Sequence, residues 1–143
     1  MNPDSIVETA RILVVDDEPA NVRLLERVLG REGYTGVVGT TDARRVPDLF
    51  RAFLPDLILL DLRMPHVDGF TILEQIATLN REGGFLPIVV LTADDSKEAK
   101  ERALSAGATD FISKPFQTFE ILLRIRNLLQ TRAKSRQEAF RFN

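Results

Sequence analysis

Cysteine is absent from this chain, which excludes disulfides and thiolate metal sites. Long apolar runs are absent too. None approaches the roughly 20 residues that cross a bilayer, so no membrane association is expected. The first residues, MNPDSIVETAR, carry acids and no apolar core, and do not read as a secretory signal. A cytoplasmic setting is the expectation. Neither charge sign is in excess: 19 Lys and Arg against 21 Asp and Glu leave a net charge of −2. That balance supplies no global attraction to nucleic acid, and no direct nucleic-acid binding is expected. No G-x-x-x-x-G-K-[ST] occurs, and Gly30, Gly33 and Gly36 do not follow the first strand-like run, so nucleotide binding is poorly supported. No internal repeat or low-complexity stretch is visible. What remains is 143 residues, 44% hydrophobic and 28% charged, enough for one domain with a full core.

The stretch PDLILLDLRMPHVDG, residues 55–69, organises the rest. Residues 57–60 form a continuous apolar run of strand length, as expected for a strand buried on both faces of a parallel sheet. The run ends in Asp61. In open parallel sheets the chemistry sits beyond the carboxyl ends of the strands, so Asp61 stands where a reactive group belongs. Met64-Pro65 stiffens the following loop, and Asp68-Gly69 closes it and can cap the next helix.

The remaining pattern alternates. Residues 1–10 read as a flexible leader. Strands are expected at 12–15, 34–39, 57–60, 86–91 and 109–113. Each is followed by a helical pattern, at 19–30, 43–53, 70–79, 96–106 and from 119 onward. Strands alternating with helices imply a parallel sheet covered on both faces, with right-handed crossovers. The fold expected is α/β and doubly wound, with five strands and five helices; strand order 2-1-3-4-5 is one of the few topologies this leaves. The domain is expected to span residues 11–130. Residues 131–143, with Arg132, Lys134, Arg136 and Arg141 against Glu138 alone, read as a basic helical extension or the start of a linker.

Polar groups stand at strand ends where apolar runs stop: Asp16-Asp17, Asp61, Thr92 and Lys114. In the order 2-1-3-4-5 the first and third strands are neighbours, so the acids meet. Like charges at close range raise each other's pKa, and a hard cation such as Mg²⁺ relieves this. Carboxylate, Mg²⁺, lysine and hydroxyl together fit phosphoryl transfer onto an aspartate. The competing reading makes Asp17 and Glu18 helix-terminal acids and Lys114 a solvated turn residue.

VVDDEP at 14–19, LLDLRMPHVDG at 59–69, VLTAD at 90–94 and FISKPF at 111–116 resemble the motifs of response-regulator receiver domains of two-component signalling. The resemblance covers roughly residues 11–130. It implies a flavodoxin-like fold and a phosphorylation-switched module. Asp61 would be the phosphoacceptor, served by a histidine kinase or phosphotransfer protein. It also implies that Asp17, Asp61 and the backbone carbonyl of Arg63 bind Mg²⁺ directly, with Asp16 acting through water. Thr92 and Lys114 would contact the phosphoryl oxygens. The signal would pass to a partner or a downstream output domain. Any self-phosphorylation or self-dephosphorylation would be slow.

Phe111 departs from the pattern, since many relatives carry a switch tyrosine there. A switch of Thr92 and Phe111 by packing is compatible with phenylalanine; one that needs the hydroxyl is not. Arg63 and Asp94 sit at positions that resemble those tuning dephosphorylation, and their opposite charges suggest a hydrolysis gate. His66 reads as an exposed loop residue. The helix at 97–106 offers only a thin apolar face of Ala99, Ala103, Leu104 and Ala106. RIRNLLQTR resembles the exit helix of receivers that feed an output domain, and a homodimer through this helix or its neighbouring face is a further expectation. Two other functions compete with this reading. An aspartyl phosphatase of the haloacid-dehalogenase type is imitated weakly by Asp16 and Glu18. A phosphorylation-independent scaffold is opposed by the intact acid set.

Overall fold

The computed structural model describes residues 3–142. Five parallel strands form one sheet in the order β2-β1-β3-β4-β5. They are β1 (Arg11–Val15), β2 (Gly36–Thr40), β3 (Leu57–Leu60), β4 (Ile88–Thr92) and β5 (Asp110–Ser113). Six helices surround it: α1 (Pro3–Thr9), α2 (Pro19–Arg31), α3 (Val46–Phe53), α4 (Gly69–Leu79), α5 (Lys97–Ser105) and α6 (Thr118–Phe142). This is the doubly wound parallel sheet expected from the alternating pattern, in the flavodoxin-like order that the resemblance to receiver domains implies.

Burial on both faces explains the strand composition. Alternate residues of the central strands point to opposite sides. Leu13, Ile58 and Leu60 join the layer built with α3 and α4, where Val46, Ile72 and Leu73 contribute. Ile12, Leu57 and Leu59 join the layer built with α2 and α6, where Leu25, Leu29 and Ile125 contribute. Each such fully buried side chain supplies about 1.5–3 kcal/mol. The stripe expected on the first sequence helix, Val22, Leu25, Val28 and Leu29, is the buried face of α2.

Several helix ends follow from single residues. Asp68 accepts from the Phe70 amide at 3.0 Å and starts α4. Ser96 accepts from the Ala99 amide at 3.2 Å and starts α5. Gly69 has no side chain for a packing reason: a Cβ there would stand 2.4 Å from the Leu62 Cα. Its amide donates to the Leu62 carbonyl at 3.1 Å, which ties the loop after β3 to α4. Leu54 ends α3 in the left-handed conformation (φ 53°, ψ 68°). For an L-residue that conformation costs about 1–2 kcal/mol.

The sequence pattern differs from the structure at several places, among them β2 and β4, which run Gly36–Thr40 and Ile88–Thr92 where 34–39 and 86–91 are expected. Residues 3–9 form α1 in place of the expected flexible leader, so there are six helices and not five. The reason is tertiary: Ile6 and Val7 pack on the α2–α6 layer, giving a short helix a half-buried side. Residues 43–45 form a 3-10 turn and α3 proper begins at Val46, with Pro47 in its first turn. On α5, Ala99 and Ala103 are buried but Leu104 is 44% exposed, so the apolar face is thinner than expected. Helix α6 runs unbroken from Thr118 to Phe142, past the core position Leu129. No helix among the described residues is long and apolar enough to cross a membrane.

Candidate functional site

Parallel register brings the strand ends level. Val15 stands beside Leu60, so the next residues, Asp16 and Asp61, emerge together. Backbone bonds hold both. The Asp16 amide donates to the Thr40 carbonyl at 3.2 Å, and the Asp61 amide to the Val15 carbonyl at 2.9 Å. On the other side Thr92 pairs with Ser113, and the Lys114 amide donates to the Thr92 carbonyl at 2.8 Å. Lys114 then reaches back across the sheet end. Its Nζ donates to Asp16 Oδ2 at 2.7 Å and to Asp61 Oδ2 at 3.0 Å.

These charges are shielded from water. The side chains of Lys114, Asp16 and Asp61 are 18%, 4% and 9% exposed, so their attraction is stronger than that of a surface pair. Burial alone pulls the Lys114 ammonium down, but the hydrogen bonds and charges of Asp16 and Asp61 leave it raised. Asp17 stands exposed beside them. Partial desolvation first, then the charges of Asp16 and Asp61, push its carboxyl up. Glu18 occupies the N-cap position of α2 but makes no capping bond with its side chain.

The remaining acceptor positions are mostly filled. Asp16 Oδ1 accepts from the Glu18 amide at 2.9 Å, and Asn21 Nδ2 donates to Asp16 Oδ2 at 3.3 Å. Asp61 Oδ1 accepts from the Arg63 amide at 3.0 Å. Thr92 is fully buried, and its Oγ1 accepts from the Asp94 amide at 3.3 Å. Carboxylate oxygens of Asp16, Asp17 and Asp61 all lie within 4.8 Å of one another. Three hard oxygen donors this close, one of them with a raised pKa, fit a hard divalent cation better than an uncompensated acid cluster.

The loops after β3 and β4 flank the opening. Arg63 and Asp94 meet there, Nη2 to Oδ2, at 3.5 Å. Hydrogen bonds from Ser96 hold the Asp94 carboxyl below the usual carboxylate range, and the charge of Arg63 adds to this. Phe111 stands opposite Val90 in the register and is half-buried against the α3–α4 layer. His66 is exposed, as its sequence context suggests, with a positive φ of 73°.

Two features escaped the sequence pattern. Asn21 lies on the first turn of α2, where nothing marks it as a partner of Asp16. Asp56, just before β3, is the centre of a second cluster at the amino ends of the strands. It accepts from the Arg11 amide at 2.9 Å and from Arg132 Nε at 3.1 Å, and stands 3.5 Å from Arg136. The run of arginines after residue 130 was a signal for an ion-pair partner, but not for which one.

The model of the family described as response regulator receiver domain matches residues 12–126. Response regulator MprA of Mycolicibacterium vanbaalenii is 43% identical over 120 residues, covering 84% of this chain and 50% of that protein. Transcriptional regulatory protein YvrH of Bacillus subtilis is 38% identical over 131 residues, covering 92% of this chain and 54% of that protein. The chain thus spans about half the length of these curated relatives. Among solved structures, a CheY-like response regulator receiver domain protein of Methanospirillum hungatei superposes with a TM-score of 0.80 at 28% identity. The match covers 87% of this chain and 97% of that one.

Proposed function

This chain belongs to the response regulator receiver domain family, and on that footing we propose that Asp61 is the residue that accepts the phosphoryl group. Receiver domains act as phosphorylation-switched signalling modules and are generally not enzymes in their own right. The observation that carries the assignment is Lys114 Nζ, held within 3.0 Å of an Asp61 oxygen at the carboxyl end of the central strand. No comparable support exists for a phosphatase: Glu18 is exposed at the start of α2, and Asp61 lies on the third strand, not the first.

The chemistry follows from the donors. A carboxylate oxygen of Asp61 attacks the phosphorus of a phosphohistidine, forming a P–O bond while the P–N bond breaks. The imidazole leaves with the electron pair and takes up a proton. Negative charge spreads over the three phosphoryl oxygens. Lys114 would face one of them, and the Thr92 hydroxyl would turn from the Asp94 amide to donate to another. Asp17, Asp61 and the Arg63 carbonyl would hold Mg²⁺, with Asp16 acting through water, and the ion supplies positive charge against the transferred group. Withdrawal of Thr92 would open space for the Phe111 ring to move inward. That switch works by packing, since phenylalanine has no hydroxyl. Self-phosphorylation and self-dephosphorylation would be slow beside transfer from a partner.

The partner proposed is a histidine kinase or phosphotransfer protein in the cytoplasm. Residues 11–130 would form the receiver, and residues 131–143 would carry the signal toward an output domain or a partner. The continuity of α6 through that boundary supports this reading. A homodimer would form through α6 or the neighbouring face. Sedimentation of the phosphorylated and unphosphorylated forms tests this, and a monomer in both states contradicts it. The central test is intact mass after treatment with acetyl phosphate and Mg²⁺. Wild type is expected to gain one phosphoryl group and Asp61→Asn none; an equal gain in both overturns the assignment.

A further inference from the structure

A groove of ≈ 660 Å³ opens at the edge of the domain opposite the acidic site. It lies among the end of α1, the start of β1, the end of α3 and the outer half of α6. Its size falls in the range of small-ligand sites. The walls are of two kinds. Ile6, Ala52, Leu54, Leu129 and Ala133 are apolar, while Arg11, Arg132 and Arg136 share the lining with one acid, Asp56.

Charge is the first pointer to an occupant. The lining carries three guanidinium groups and a single carboxylate, which leaves the groove with surplus positive charge. The cations are not equally committed. Arg132 donates to Asp56 and to the Phe85 carbonyl and is nearly buried. Arg11 donates through Nε to the Phe53 carbonyl at 2.7 Å and lies over the Phe53 ring. Arg136 has only a long contact of 3.5 Å to Asp56, and its side chain is 63% exposed, so it can turn toward an incoming anion at little cost.

Leu54 is the second pointer. It caps α3 in the left-handed conformation, where glycine is the unstrained choice. Its amide still makes the cap bond, to the Phe50 carbonyl at 2.9 Å. The side chain contributes little to the core, since the residue is 64% exposed on the rim of the groove. A strained backbone carrying an exposed large apolar side chain is more often retained for binding than for packing.

We propose that this groove binds a small amphiphilic anion: an apolar body that lies under Leu54 and one oxyanion group that meets Arg136. The occupant would touch α6 just before it leaves the domain, on the face away from Asp61.

Titration of the intact chain with anilinonaphthalene sulfonate, and with the neutral probe N-phenylnaphthylamine, tests this. Wild type is expected to bind both saturably, with amide shift changes gathered at residues 6–11, 52–56 and 129–137. Arg136→Ala is expected to weaken the sulfonate probe by about tenfold and to leave the neutral probe unchanged. Leu54→Gly is expected to weaken both while its thermal midpoint stays at or above that of wild type, because strain is relieved. That combination separates lost binding from lost folding. Absence of saturable binding, shifts centred on the acidic site, or undiminished binding in both variants would overturn the proposal. So would concentration-dependent dimerisation that Leu54→Gly abolishes and the probes fail to compete with, since the groove would then belong to a second copy.

Discussion

Lys114 Nζ lies 2.7 Å from Asp16 Oδ2, and the two residues are 98 positions apart in the chain. The same ammonium meets Asp61, so one cation balances two largely buried carboxylates. Its removal leaves those charges uncompensated. Lys114→Met is expected to lower stability by about 3–5 kcal/mol in a metal-free buffer. Mg²⁺ should restore part of that loss and bind more tightly than to wild type, because a competing cation has gone. Asp17→Asn should act in the opposite sense on Mg²⁺, weakening it by loss of a ligand charge. Thermal melts with and without Mg²⁺ check both; Mg²⁺-independent melting of Lys114→Met would speak against a cation site there.

Arg63 and Asp94 stand 3.5 Å apart, joining the loops that follow β3 and β4. If this pair limits water access, Arg63→Ala and Asp94→Ala each shorten the phosphorylated lifetime by a modest factor. The double variant should be no faster than the faster single one, because residues acting as a unit are not additive. Rates of phosphoryl loss for the four proteins, at fixed Mg²⁺ and salt, decide it. Unchanged rates in both single variants remove the gate.

Asp56 ties α6 to the body of the domain through Arg132. Asp56→Asn leaves that nearly buried guanidinium without its charge partner, at an expected cost of about 2 kcal/mol. Hydrogen exchange should rise most in α6 beyond Leu129. Arg136→Ala, which removes an exposed partner of the same acid, should leave the melting point nearly unchanged. Equal destabilisation by both variants would argue against Arg132 as the anchor.

Tyr34 is the only tyrosine, and there is no tryptophan, so near-ultraviolet phenolate absorbance reports on it alone. Burial raises its pKa; the charge of Arg126 opposes this and Glu32 adds to it. The fold therefore favours the neutral phenol. That contribution to stability is complete below the ordinary value of about 10 and is lost as pH climbs through the raised value. A spectrophotometric titration should give a midpoint above that of a free tyrosine in the folded protein and an ordinary one in denaturant. Tyr34→Phe should flatten the alkaline loss of stability in that window. An ordinary midpoint in the folded state would contradict the burial.

The alternating runs were enough to read a parallel sheet covered on both faces, and the resemblance of the strand-end motifs to receiver domains supplied the strand order that brings Asp16, Asp61 and Lys114 together. Local periodicity carries the first of these, and right-handed connections leave only a few topologies for the second. Asp61 follows a run that must be buried on both faces, so its position at the sheet end needs no distant information. Pairings that depend on the exact approach of two separate elements were decided only in three dimensions. Ile6 and Val7 carry no periodic signal across so short a segment, and α1 exists because the α2–α6 layer offers them a surface. Asp56 could have faced several arginines, and the packing of α6 beside the amino end of β3 selected Arg132. Leu104 matched the helical spacing of its neighbours yet stayed exposed, because α5 meets the core along Ala99 and Ala103 and Leu104 lies off that line. Short-range pattern thus determines which faces are buried, while the packing of whole elements decides which side chains meet.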